Sequence, residues 1–164
     1  MKNTMKTLLN TLALSIAATF ALGSTAALAQ GKPQPSNASA YPVAPAPGLY
    51  QAFGEESGIR SLMADFVLRL RADARIGEQF KETNLDNLAK QLSDQLCQLS
   101  GGPCVYKGPD MKTAHSDMDV TRAHFNSLVE VLQQTMAARG IPFQRQNQML
   151  ALLAPMHRDV VNTP

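Results

Sequence analysis

The sequence predicts an all-α domain, and three observations carry that prediction. Apolar residues recur every three or four positions in four separate stretches, the spacing that puts them on one helical face. Glycine and proline break those stretches at Gly101-Gly102-Pro103 and again at Gly140-Ile141-Pro142. No stretch shows the strict alternation between turn residues that marks a strand, and no internal repeat is present.

The first 48 residues are expected to lie outside that domain. Residues 1–29 read as a secretory signal peptide. It has a basic start (Lys2, Lys6), an apolar run from Leu8 to Leu22, and Ala27-Leu28-Ala29 as the cleavage site. Asn10, Thr11 and Ser15 interrupt the run, which falls short of the roughly 20 residues a membrane span needs. Export is therefore expected, to the periplasm in a bacterium. Residues 30–48 are rich in Pro, Ala, Ser and Gly and read as an extended linker.

Residues 49–164 should fold. The whole chain of 164 residues is 45% hydrophobic and 17% charged, which suits one domain with a modest core. Aromatics make up 5% and Trp is absent, so the core must be aliphatic and rich in its 8 Met residues. The formal charge is +2, but the leader holds two lysines and no acid, so without it 13 basic residues face 13 acidic ones. Such a balance offers no basic footprint for nucleic acid or an anionic membrane, and neither is expected as a partner.

Within the domain, Leu49, Tyr50 and Phe53 start a short helix that Gly54 ends. Ser57 is expected to cap the next, whose stripe is Ile59, Leu62, Met63, Phe66 and Leu70, with Arg69, Arg71 and Asp73 on its solvated side. Phe80 falls in the turn that follows. Thr83 or Asn84 caps a helix carrying Leu85, Leu88, Leu92, Leu96 and Leu99 on one face. Thr121 starts a long helix with Phe125, Leu128, Val129, Leu132 and Met136 in register. The last helix carries Met149, Leu152, Leu153, Met156 and Val160, with a kink at Pro155.

The chemistry concentrates in Leu96 to Val120, LCQLSGGPCVYKGPDMKTAHSDMDV. Pro109 is preorganised to open a short helix, and Met111 lies one turn before His115 on the same face. A histidine there, between two longer amphipathic helices, can face a cavity and ligate a metal or haem iron through its neutral imidazole. The residues alone leave that role and an ordinary structural histidine both open. Cys97 and Cys104, an even count in an exported chain with two glycines between them, allow a disulfide. Two reduced thiols are the alternative, and no second ligand pair accompanies them as zinc requires.

GGPCVYKGPDMKTAH resembles the segment leading to the proximal histidine of group I truncated haemoglobins: a Gly-Gly pair, Tyr-x-Gly, then Met-Lys/Arg-x-x-His. LYQAFG resembles that family's opening, with Glu55 where a second glycine is usual. MADFVLRLRADARIGEQF resembles its second helix and turn, and LALLAPMHRDVV the end of its last helix. The resemblance runs from Leu49 to Val161 and implies a two-over-two helical sandwich that binds haem b. His115 would be the proximal axial ligand to the iron, its other ring nitrogen held by a backbone acceptor. Phe80 would pack on the porphyrin face, Met111 would sit near its proximal side, and Tyr106 and Lys107 would neighbour the propionates.

On the distal side the chain departs from the family. Val67 stands where a tyrosine usually donates to the bound gas, and Leu88 and Leu92 stand where polar residues are common. Leu96 extends the apolar lining. Gln91 replaces a histidine that ligates iron in some relatives, and Gln95 is the other polar candidate. His124 matches histidines without a ligand role. His157 lies one residue off the position that carries a haem-linking histidine in some relatives, where Met156 stands instead. The resemblance therefore implies a haem protein that binds oxygen, carbon monoxide or nitric oxide in an apolar distal pocket, with an unidentified redox partner. One rival is a haem enzyme, a nitric oxide dioxygenase or a peroxidase-like catalyst. Val67 and the lack of flavin or nicotinamide motifs count against it. Another is a haem-free periplasmic helical module that binds a protein or an apolar ligand.

Overall fold

The computed structural model describes residues 43–163, so the expected leader and the linker as far as residue 42 lie outside the described residues. Those described form helices α1 (Leu49–Ala52), α2 (Glu55–Ala72), α3 (Leu85–Leu99), α4 (Met111–His115), α5 (Arg122–Ala138), α6 (Phe143–Leu153) and α7 (His157–Val160). Short 3-10 turns span Gly77–Phe80 and Ala154–Met156. No strand occurs among the described residues, only a parallel bridge between Thr121 and Thr163.

The corner between α1 and α2 is tighter than the sequence suggested. Gly54 (φ 75°), not Ser57, is the residue preceding α2, and Ser57 lies inside the first turn with its hydroxyl donating to the Gly54 carbonyl at 3.3 Å. The cause is close packing, because a Cβ on Gly58 would sit 2.2 Å from the Phe53 carbonyl oxygen. From there the stripe of α2 is buried as expected: Ile59, Leu62, Met63, Phe66 and Leu70. Arg71 is not merely solvated. Its guanidinium donates to the Phe80 carbonyl at 2.8 Å and so fixes the turn that presents Phe80.

Asn84 caps α3 by accepting from the Asn87 amide at 2.9 Å. Past Gly101, a disulfide joins Cys97 to Cys104 with Cα atoms 5.7 Å apart, tying the end of α3 to the segment that carries Tyr106. Thr121 caps α5 in a reciprocal box with His124, each side chain serving the other's backbone amide. Where one kinked last helix was expected, Pro155 divides it into α6, a 3-10 turn and α7. Proline has no N–H to continue the α ladder, so the chain changes direction there.

Packing follows from these stripes. Helix α2 packs most extensively on α3 and next on α5, α5 packs on α6, α1 bridges α2 and α6, and α4 rests on α7. Leu49, Phe53, Ile59, Leu62, Met63, Met136, Met149 and Leu152 form the centre of the closed core. A second apolar group stays only partly buried: Phe80, Leu92, Leu128, Leu150 and Leu153 touch this core on one side. Half-buried apolar side chains gathered in one place mark a surface that something else covers.

Glu55 carries the cost of the α1–α2 corner, since its φ of 57° is a left-handed conformation. That conformation disfavours a side chain by about 1–2 kcal/mol, against about 0.5–1 kcal/mol of extra backbone entropy for glycine. Glu55→Gly should therefore stabilise the fold by about 0.5–1 kcal/mol and raise Tm by roughly 3 °C in a thermal melt. A lowered Tm would contradict the strain at this corner.

Candidate functional site

The partly buried apolar residues line one cavity of about 640 Å³ between α2, α3, α4, α5 and the α6–α7 turn. That volume lies in the range of ligand pockets. Of the residues singled out from sequence, Phe80, Leu88, Gln91, Leu92, Gln95, Leu96, Tyr106, Met111 and His115 all line it. Sequence reading did not place Met63, Phe66, Leu70 and Met156 there, and they complete the walls.

His115 sits at the end of α4, half-buried, with its Nδ1 2.7 Å from the Met111 carbonyl oxygen one turn back. A carbonyl can only accept, so Nδ1 carries the proton and donates. The Nε2 lone pair is then left for a ligand role, and the geometry fixes the tautomer that metal ligation needs. Asp110, not Pro109, starts this helix. Its carboxylate accepts from the Thr113 amide at 2.8 Å and the Thr113 hydroxyl at 3.0 Å. The Pro109 carbonyl is instead the acceptor for Tyr106, whose hydroxyl donates to it at 2.8 Å.

Val67 and Lys107 do not line the cavity, and several polar residues that do are engaged by neighbours. Val67 is nonetheless buried. It lies at the edge of the α2 stripe, and its two methyls end close to the backbone. Gln95 is not a free polar group opposite His115. Its amide nitrogen donates to the thioethers of Met111 (3.5 Å) and Met156 (3.8 Å), which places it where α3 meets the His115 side. Lys107 lines a separate, more polar surface pocket of about 410 Å³ with Arg60, Lys90 and Asp94, and Gln91 is shared by both pockets. Tyr106 has spent its proton on Pro109, and burial, with Asp110 nearby, pushes its phenol above the usual range, so it stays a neutral group at the cavity edge.

His124 also lines the cavity, but its Nδ1 accepts the Thr121 backbone N–H. In the neutral ring the proton is then on Nε2, so His124 presents a donor and not a lone pair. His157 packs edge-on against Phe125, with ring centroids 4.8 Å apart. Among the described residues no group of three or more His, Cys, Asp or Glu converges as a metal cluster. A bare metal ion would find one imidazole lone pair among neutral side chains, most of them apolar. The donor set fits an ion that brings its own equatorial ligands inside a flat apolar ring, as haem does. Phe80, Leu88 and Leu92 would offer apolar contact to such a ring, and Gln79, Thr83, Asn87 and Gln91, which also line the cavity, would offer polar groups to its carboxylates.

The Asp110 cap gives α4 a dependence on pH. Hydrogen bonds from the Thr113 backbone and then its hydroxyl hold the Asp110 carboxyl below the usual carboxylate range. A lowered folded-state value means the stabilisation is complete above the unfolded value of about 3.9 and is lost as pH falls through the folded one. Protection of the Thr113 amide against hydrogen exchange should thus hold down to about pH 4 and fall below it. Asp110→Asn should keep protection without that fall, and Asp110→Ala should lose it at every pH. A wild-type protection factor that ignores acid would contradict the cap.

Comparison with known proteins agrees with this geometry. The family model for bacterial-like globins matches residues 48–162. A group 1 truncated haemoglobin of Tetrahymena pyriformis is 30% identical over 113 residues, covering 69% of this chain and 93% of that one. The group 1 truncated haemoglobin of Tetrahymena thermophila is 34% identical over 98 residues, covering 60% of this chain and 81% of its own. The crystal structure of the T. pyriformis protein in its Fe(III) form matches with a TM-score of 0.67, covering 70% of this chain and 98% of that one. The helices described above therefore form the two-over-two arrangement of that fold. The chain belongs to the bacterial-like globin family, as a truncated haemoglobin with a haem-based globin function.

Proposed function

We propose that this protein is exported, holds haem b through His115 Nε2, and binds a diatomic gas in a pocket whose distal wall is apolar. The observation that carries the reading is the Nδ1 bond to Met111, which leaves one imidazole lone pair beside an apolar cavity. His115 would hold haem there, and its iron would supply the chemistry that binds oxygen, carbon monoxide or nitric oxide. Two features support export: the leader pattern of residues 1–29, and a disulfide of the kind that persists in oxidising compartments.

The gas preference follows from which side chains can donate. Leu88, Leu92 and Leu96 cannot, and Val67 has no hydroxyl to donate. The Gln95 amide is directed at two thioethers, and Gln91 stands at the border with the outer pocket. A hydrogen bond to a partly charged acceptor is worth about 1.5–3 kcal/mol. Its loss weakens retention of a gas that becomes negative on binding by roughly ten- to a hundredfold. Carbon monoxide and nitric oxide depend less on such a donor.

Oxygen release from the haem-loaded ferrous protein tests this. The expected rate is fast, roughly unchanged in Gln91→Leu, and slowed about tenfold or more in Val67→Tyr, which adds back a donor. Slow release from the wild type that accelerates in Gln91→Leu would overturn the apolar reading.

A further inference from the structure

We propose that Asn162, in the tail after α7, is the positioning residue that sets the orientation of His115. Helix α4 is only 5 residues long, far below the roughly 12–15 residues at which an isolated helix becomes marginally stable. Its direction is therefore set by what holds its two ends. Asp110 holds the first end. At the second, the Asn162 Nδ2 donates to the His115 carbonyl oxygen at 2.6 Å and, more weakly, to that of Ser116 at 3.4 Å.

The same carboxamide also works in the opposite sense. Its Oδ1 accepts from the Val120 amide at 2.7 Å, while the Asn162 backbone N–H donates to the Val120 carbonyl at 3.1 Å. Thr163 N–H adds a further bond to that carbonyl at 3.2 Å, beside the Thr121–Thr163 bridge. One side chain, exposed on the surface, thus clamps the end of α4 to the residues just before α5. The helix-terminal carbonyl of His115 has no α-helical partner of its own. It is shared between Asn162 and the Met118 amide.

The consequence is that the imidazole is held from both sides. Its ring is fixed by the Met111 carbonyl and its backbone by Asn162, across 47 residues of sequence. Rotation of α4 about its axis, which would swing Nε2 away from the cavity, must break the bond to Asn162. The role needs a donor and an acceptor in one planar group. Aspartate keeps the acceptor for Val120 but sets a carboxylate oxygen against the His115 carbonyl, so Asn162→Asp separates the two halves of the clamp.

This role rests on the haem reading, and the test is arranged to fail separately from it. The full chain is loaded with haem, reduced without gas, and its iron–histidine stretching band is recorded by resonance Raman alongside the rate of haem loss. Asn162→Ala and Asn162→Asp should both shift or split the band and speed haem loss roughly two- to tenfold, the weight of one lost hydrogen bond. Thr163→Ala, which removes only the long 3.5 Å contact from its hydroxyl to Asn162 Oδ1 and leaves the bond to the His115 carbonyl in place, should do neither. In His115→Gly supplied with imidazole the ligand is no longer tied to α4, so adding Asn162→Ala should leave the band where it was. If Asn162→Ala does not fold by its far-UV spectrum, the near-isosteric Asn162→Asp carries the test. Unchanged bands and rates in folded variants would overturn the positioning role alone, as would an equal shift in the imidazole-supplied pair. A wild-type chain that takes up no haem would overturn the haem reading and this role with it.

Discussion

The hydrogen bond from His115 Nδ1 to the Met111 carbonyl is the contact on which the site depends. It forms because the two residues are one helical turn apart, and it places the proton on Nδ1, so that Nε2 keeps its lone pair. Everything near it maintains that turn. Asp110 starts it, Asn162 ends it, and α7 supplies its packing surface. A helix this short does not persist on propensity; its neighbours hold it.

The rest of the molecule divides its apolar residues between two tasks. One set is closed off between α1, α2, α5 and α6 and contributes stability by burial. The other, which includes Phe80, Leu88, Leu92 and Met111, remains half-covered around a cavity. Leaving that surface wet is unfavourable, so an apolar group that fills the cavity binds and stabilises the fold together. The disulfide and the Arg71 bond to Phe80 keep the opposite walls in place. Of its few aromatics, Phe66, Phe80, Tyr106 and Phe125 line this cavity, while Phe53 sits in the closed core.

Much of this was legible in the sequence because it rests on spacing. The stripes of α2 and α3, the stops at Gly101 and Gly140, and the pairing of Met111 with His115 all follow from helical periodicity. What could not be read depends on reach across the fold. Val67 shares a register with lining residues but does not line the cavity, and Gln95 lines it with its amide engaged by two methionines brought from α4 and the turn after α6. Ser57 looked like a cap until the close approach of Gly58 to Phe53 moved the corner back to Gly54. Asp110 carried a local signal in the Asp-x-x-Thr spacing that Pro109 overshadowed. Asn162 carried none, since its partners lie more than 40 residues away.

The most direct test is the absorption spectrum of the purified domain after addition of haem, wild type against His115→Ala. The account predicts an intense, sharp Soret band in the wild type that collapses or moves to another coordination state in the variant. A wild type that takes up no haem, or a variant with an identical spectrum, would contradict it.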